Sequence, residues 1–150
     1  MTRLQKAIVV RVLLLAAVLL SGCIAAVRID LTGTWTGSLL WTSGPAATFS
    51  SPISLNIVHE NRNISGTVTL PGPASQTFDL AISTGRTTAR SIRLDASGTV
   101  DFVTPPITVA VSLDGEFDES NMSGTGSQTS DGNTYEFTWE VARTSGPPAP

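Results

Sequence analysis

Apolar and polar side chains alternate along most of the chain after residue 30. The clearest segment covers residues 107–118, in which the odd-numbered positions are apolar or glycine and the even-numbered positions are polar apart from Ala110. A period of two places successive side chains on opposite faces of a β-strand. After Cys23, no window longer than a few residues has the spacing of an amphipathic helix. The pattern therefore predicts an all-β domain over residues 31–143.

Short groups of turn-forming residues separate the alternating segments and predict eight or nine strands. They lie at residues 60–63, 71–73, 84–85, 105–106 and 130–133, the last with the Asp-Gly pair of a tight hairpin. We predict a short strand around Ile92 and Leu94 and a separate one after Gly98. Such short connections favour an antiparallel meander, because parallel strands need long crossovers. Closure of about eight strands into a small barrel removes the open edges, and a two-sheet β-sandwich is the alternative.

The first residues are typical of an export signal. Arg3, Lys6 and Arg11 come before or at the start of an unbroken apolar run at residues 12–20. Such a run is too short to cross about 30 Å of hydrocarbon as a helix. A basic start followed by a short apolar run is instead the pattern of a secretory signal peptide. We therefore predict a signal-peptide helix over residues 1–22.

The apolar run ends in Leu20-Ser21-Gly22-Cys23, which contains the only cysteine of the chain. These four residues resemble the lipobox of bacterial lipoproteins. The resemblance implies cleavage before Cys23, acyl chains such as palmitate on that residue, and a lipidated tether over residues 23–30. Multiple acyl chains anchor a protein stably. The residue after Cys23 is Ile24 and not Asp. In this respect the chain resembles lipoproteins that are sent to the outer membrane in bacteria with two membranes. A plain secretory signal and a signal anchor are the alternatives.

The charge of the exported part limits the class of partner. Residues 23–150 contain six arginines, no lysine and twelve carboxylates, a net charge of −6. Such a domain repels phosphates and releases few counterions, so we expect no nucleic-acid partner. Anionic lipid heads repel it as well. Attachment to the membrane is therefore expected through the acyl chains on Cys23.

Residues at the start and at the end of the domain sequence resemble those of a known superfamily. Gly33-Thr34-Trp35 opens the first predicted strand and Arg143 closes the last. This arrangement resembles the calycins, which include lipocalins, fatty-acid-binding proteins and avidins. The resemblance implies a small calycin-like barrel in which Arg143 packs on Trp35 and closes one barrel end. The ligand-binding residues of avidins have no counterparts after Trp35.

Most of the remaining aromatic residues are predicted to be core residues. The candidates for the core or for contacts with a ligand are Trp35, Trp41, Phe117, Tyr135 and Trp139. His59 is in phase with the apolar side of its strand and has Glu60 beside it, the pattern of a candidate general base. The chain has no G-x-S-x-G nucleophile elbow. A strand-end histidine turned into solvent is the favoured interpretation. We therefore expect a protein that is not an enzyme.

Two charged clusters are candidates for binding sites. Asp114, Glu116, Asp118 and Glu119 could bind a hard cation, although a solvated acidic face is favoured, so we expect no metal and no cofactor. Arg86, Arg90 and Arg93 form a basic patch near a turn. The tail at residues 144–150 has no large apolar side chain to dock and is expected to be disordered.

Together these features predict a lipid-anchored protein of the bacterial cell envelope. Its barrel is expected to bind a small apolar ligand or an envelope protein without catalysis. The alternative is a structural or protein-interaction module whose barrel is filled by its own side chains. An enzyme is the least favoured interpretation.

Overall fold

Eight antiparallel strands close into one barrel in the computed structural model, which describes residues 29–72, 75–101 and 103–146. The strands follow the order of the chain around the barrel. They are β1 (Gly33–Trp41), β2 (Ser50–Glu60), β3 (Asn63–Pro71), β4 (Thr77–Thr88), β5 (Ser91–Val100), β6 (Ile107–Phe117), β7 (Asn121–Ser130) and β8 (Asn133–Ser145). The predicted all-β barrel is confirmed, and the alternative of two packed sheets is wrong because β1 also pairs with β8.

The inward positions of all eight strands supply the core. They form one cluster with Leu31, which comes just before β1. The largest side chains that are completely enclosed include Trp35, Phe137, Leu31, Leu39, Leu55 and Ile57. Burial of this apolar face is the main force that closes the sheet, at roughly 25 cal/mol per Å² of apolar surface removed from water. The outward positions are mostly Thr, Ser, Asn and charged residues.

Three of the hairpins turn through only two residues between their strands. They are residues 61–62, 89–90 and 131–132. Asp131 and Gly132 both have positive φ, at 48° and 75°. Two consecutive residues with positive φ are what a type I′ hairpin turn requires. The tight hairpin predicted from the Asp-Gly pair is therefore confirmed.

The predicted turn at Thr84 and Gly85 is wrong. β4 continues to Thr88, and its pairing with β5 shifts by one residue between Ile82 and Thr84. One extra residue in a strand reverses which positions face inward. Leu80 is accordingly buried before the shift, and Thr87 is buried after it. The break in alternation that suggested a turn is therefore caused by a β-bulge within one long strand.

The predicted division of the next segment into two strands is also wrong. Residues 91–100 form the single strand β5, which pairs along its whole length with β6. Ala96 is buried between Leu94 and Val100 and keeps the inward alternation unbroken. Two small residues, Ala96 and Gly98, weakened the apolar pattern without ending the strand. Phe102, one of the remaining aromatic residues for which the sequence predicts a place in the core, lies outside the described residues.

A short repeated sequence lies at equivalent places in the barrel. Residues 63–67 (NISGT) and 121–125 (NMSGT) begin β3 and β7, each after a hairpin at the same end. A Cβ on Gly66 would meet the Asn56 carbonyl oxygen, and one on Gly124 would meet the Asp114 carbonyl oxygen. Both glycines therefore let one strand press against the backbone of the strand before it.

Several predictions concern residues that the structure does not describe. The signal peptide at residues 1–22, Cys23 with most of its tether, and the last four residues of the tail lie outside the described residues. The predicted disorder is wrong for the start of the tail, because Thr144 and Ser145 continue β8 beside β1. Within the described part of the chain, the search for a helix long and apolar enough to cross a membrane found none.

Candidate functional site

The two ends of the barrel are built differently. The entry end is where residues 29–32 lead into β1, and it also carries the turns at residues 61–62, 89–90 and 118–120. The loop end carries the connections at residues 42–49, 72–76, 101–106 and 131–132. The candidate functional residues fall on these two ends and on the outer wall between them.

Trp35 and Arg143 pack together at the entry end. The Arg143 guanidinium carbon lies 4.4 Å from the centre of the Trp35 ring. Trp35 and Arg143 are paired in register across β1 and β8, so both occupy inward positions. The register between β1 and β8 shifts next to this pair, between Thr34 and Trp35. A cation over an indole face contributes about 0.5–2 kcal/mol.

Hydrogen bonds hold both partners of this stack in place. The Trp35 indole Nε1–H donates to the Leu31 carbonyl oxygen at 2.9 Å. Arg143 donates through Nη1 to the Thr32 carbonyl oxygen at 3.2 Å and through Nη2 to the Asp30 carbonyl oxygen. Its Nε donates to the Glu119 carbonyl oxygen at 3.1 Å. Arg143 therefore ties the segment before β1 and the β6–β7 turn to the end of β8.

His59 belongs to the same cluster, so the prediction that it turns into solvent is wrong. Its side chain is only 8% exposed. The Leu31 amide donates to Nδ1 at 3.2 Å, and Nε2 lies 3.3 Å from the Thr87 hydroxyl. Because Nδ1 accepts, the proton of a neutral ring lies on Nε2 and is donated to Thr87. Through its two ring nitrogens, His59 therefore links β2 to the segment before β1 and to β4.

Asp30 completes the entry-end plug, which we define as Asp30, Leu31, Trp35, His59 and Arg143. Its Oδ1 accepts from the Thr32 amide at 2.8 Å and lies 4.0 Å from His59 Nδ1. The hydrogen bond from the Thr32 amide, followed by the Thr32 side chain, holds the pKa of Asp30 below its usual value. The plug is thus a set of mutually bonded groups around a buried indole.

The loop end presents aromatic rings that are only partly covered. Trp41 is half-buried and meets buried Phe137 edge to face, with ring centres 5.2 Å apart. Tyr135 is half-buried and occupies the space that a side chain on Gly44 would need. Phe49, at the end of the β1–β2 connection, is 66% exposed. Backbone bonds from Thr48 to Trp41 and from Trp41 to Phe49 hold this connection against the barrel.

The other candidate aromatic residues are part of the core. Trp139 is 2% exposed and Phe117 is 7% exposed. The Trp139 indole Nε1–H donates to the Thr125 carbonyl oxygen at 3.0 Å. A Cβ on Gly115 would lie 2.8 Å from a ring carbon of Trp139, so this glycine makes room for the indole. These two residues therefore fill the core on the β6–β8 side of the barrel.

The acidic residues predicted to cluster around β6 have separate interaction partners. Asp118 accepts from the Ser120 and Asn121 amides at 2.7 Å, and these bonds hold its pKa below the usual value. Asp114 lies 3.7 Å from Arg93. Among residues 29–72, 75–101 and 103–146, no three potential ligands group together as a metal site would require.

Comparison with known proteins leaves the family open. Neither a scan against protein-family models nor a search of curated proteins finds a match for this chain. The resemblance to bacterial lipoproteins and to calycins therefore stays a prediction from the residues quoted above. The geometry that bears on function is a closed plug at the entry end and exposed aromatic rings at the loop end.

Proposed function

We propose that this chain is a lipid-anchored envelope protein whose barrel is a noncatalytic binding module for an envelope partner. The observation that supports it best is the continuous apolar core, to which every strand contributes. In the described part of the chain, no buried side-chain nitrogen or oxygen lacks a hydrogen-bond partner. An interior filled in this way favours binding through the surface, and binding residues are most often found on loops held by a rigid scaffold.

The loop end is the surface proposed for the partner. It carries exposed Phe49 and half-buried Trp41 and Tyr135, and aromatic residues are enriched in protein interfaces. The anchor proposed on Cys23 leads into the opposite end of the barrel, so the loop end faces away from the membrane. A partner in the envelope therefore meets the loop end first.

A photo-crosslinking experiment tests this surface. A photoreactive amino acid replaces Phe49 at the loop end or, as a control, exposed Asn56 on the outer wall in the middle of β2. The proposal expects one discrete crosslinked species from position 49 in intact cells and none from position 56. Absence of any crosslink at position 49, or equal crosslinks at both positions, contradicts it.

A small apolar ligand is the second candidate, because the same partly covered rings would contact it. Native mass spectrometry of the domain from Asp30 onward tests this. A retained mass that disappears in Phe49→Ala supports a ligand at the loop end. A clean apo mass after gentle purification favours the filled barrel alone.

The anchor is tested separately. Replacement Cys23→Ser removes the acylated thiol and is expected to abolish palmitate labelling and retention in the membrane fraction. Ser21→Ala keeps a small residue before the cleavage site and serves as the matched control. Unchanged labelling in Cys23→Ser refutes the lipoprotein assignment.

A further inference from the structure

All arginines of the described residues lie in the half of the barrel next to the entry end. Arg62 and Arg90 lie in the two-residue turns that follow β2 and β4. Arg86 and Arg93 lie on the outer wall just beyond those turns, and Arg143 belongs to the plug. We define the arginine face as Arg62, Arg86, Arg90 and Arg93, which are all exposed.

The arginine face gathers like charges that the chain neutralises only in part, since Asp118 interacts with Arg90 and two carboxylates lie near Arg93. Arg86 and Arg93 are directly opposite each other across β4 and β5. Like charges in such a cross-strand pair repel and destabilise the sheet. Arg93 lies near Asp95 and Asp114, at 3.8 and 3.7 Å. In the part of the chain that the structure describes, no carboxylate lies within 4.0 Å of Arg62, Arg86 or Arg90.

Most acids of the entry end lie on the sector that directly adjoins the arginine face, where Asp114 in β6 is opposite Arg93 in β5. Glu116, Asp118 and Glu119 are in β6 and the turn that follows it. Glu60 is the last residue of β2, and Asp30 comes before β1. The entry end is therefore basic around β3 to β5 and acidic around β6 and β7. This division gives the barrel a charge asymmetry across its end.

We infer that the arginine face rests on the anionic headgroups of the membrane that holds the barrel, and so tilts the barrel toward its β3–β5 side. The inference rests on the proposed anchor at Cys23. Residues 24–30 span at most about 25 Å even when fully extended, so the anchor brings the entry end to the headgroups. Electrostatic contact needs an approach to within about 10 Å at 0.1 M salt, and the tether permits it.

The net charge of −6 repels anionic headgroups, but it acts on the domain as a whole and does not choose which side of the entry end faces the lipids. The acyl chains supply the attachment, so the arginines need only decide which side of the entry end faces the lipids. Each arginine that reaches an anionic surface is expected to favour that orientation by about fivefold. The acidic β6–β7 turn is repelled by the same surface, which adds to the tilt.

The test compares two labels on the full acylated chain in lipid nanodiscs. Acylation occupies Cys23, so Thr88→Cys and Ser123→Cys, made one at a time, each supply a single free thiol for a fluorophore. Position 88 lies beside the arginine face and position 123 beside the acidic sector. Quenching by headgroup-labelled lipid is measured in discs of phosphatidylglycerol and in discs of phosphatidylcholine.

The expected result is a ratio of quenching at position 88 to position 123 that is at least twofold higher in the anionic discs. Arg62→Gln with Arg90→Gln should remove this rise, and so should 0.5 M salt. Gln76→Glu with Thr108→Glu lowers the net charge by the same amount at the loop end and should leave the rise in place. Arg86→Gln alone is a second variant that should reduce it partly.

The inference is overturned if the ratio is the same in both lipids or if the arginine variants leave the rise unchanged. A chain without acyl mass that does not enter the discs instead refutes the anchor, and the inference falls with it. A chain that enters the discs with its acyl mass but shows no difference between lipids refutes the arginine face alone.

Discussion

The two ends of the barrel differ in the bonding of their side chains and in the length of their connections. At the entry end, Arg143, His59 and the Trp35 indole form hydrogen bonds with the incoming backbone, and the turns are short. At the loop end, three of the four connections are longer and the rings of Trp41, Tyr135 and Phe49 keep contact with water. We infer from this comparison that the entry end stabilises the barrel, and the loop end is the surface proposed for a partner.

Removal of the central indole should have the largest effect on this comparison. Trp35→Ala leaves a cavity at a fully enclosed site and is expected to lower the free energy of unfolding by about 3–5 kcal/mol. Phe49→Ala at the loop end is expected to change it by less than about 0.5 kcal/mol. Urea unfolding measures both values. Similar losses at the two positions would contradict a stabilising entry end.

Truncation of Arg143 should have the next largest effect. Arg143→Ala removes the cation over Trp35 and three donors to backbone carbonyls. We expect a fall in melting temperature of about 5–10 °C. Arg143→Lys keeps the charge but not the planar fork, and should recover only part of the loss. No shift in Arg143→Ala would show that the plug does not depend on this residue.

Substitution of His59 tests whether its ring acts as a structural bridge. His59→Ala leaves the Leu31 amide without its acceptor and should cost about 1–2 kcal/mol in urea unfolding. In His59→Asn, the Oδ1 atom replaces Nδ1 as the acceptor and should restore part of that stability. Equal losses in the two variants would argue against the hydrogen bond to Leu31.

Acid should weaken the entry end as Asp30 becomes protonated. The folded pKa of Asp30 lies below its usual value near 3.8, mainly because of the Thr32 amide. Its contribution to stability is therefore complete above that value and is lost as the pH falls through the lower folded pKa. Thermal unfolding from pH 6 to pH 2 should show this decline, and Asp30→Asn should make it shallower. An identical pH profile in the variant would contradict the assignment.

The fold was largely predictable because burial on one side of a sheet imposes a period of two. β6 and β8 show this most clearly, since their inward residues are nearly all large and apolar. The pattern failed where backbone geometry changed the phase, as at the bulge after Ile82, and where small inward residues such as Ala96 weakened it. A bulge has no fixed residue signature, so its position could not be derived from alternation.

The plug was only partly predictable. The resemblance to calycins suggested Arg143 on Trp35, and the structure places the guanidinium there. The role of His59 was missed, although its position in phase with Ile57 already indicated an inward side chain. Its partners, the Leu31 amide and Thr87, come from segments 28 residues away in each direction. Such long-range contacts depend on closure of the barrel, which a local pattern does not specify.

The most direct test of a sealed entry end is hydrogen exchange of the three tryptophan indole N–H groups, followed by NMR. Trp35 and Trp139 donate to backbone carbonyls inside the wall, whereas the structure gives the Trp41 indole no acceptor among the residues it describes. The account predicts that Trp35 exchanges slowest and Trp41 fastest. Exchange of Trp35 as fast as that of Trp41 would show that water reaches the plug, and would contradict it.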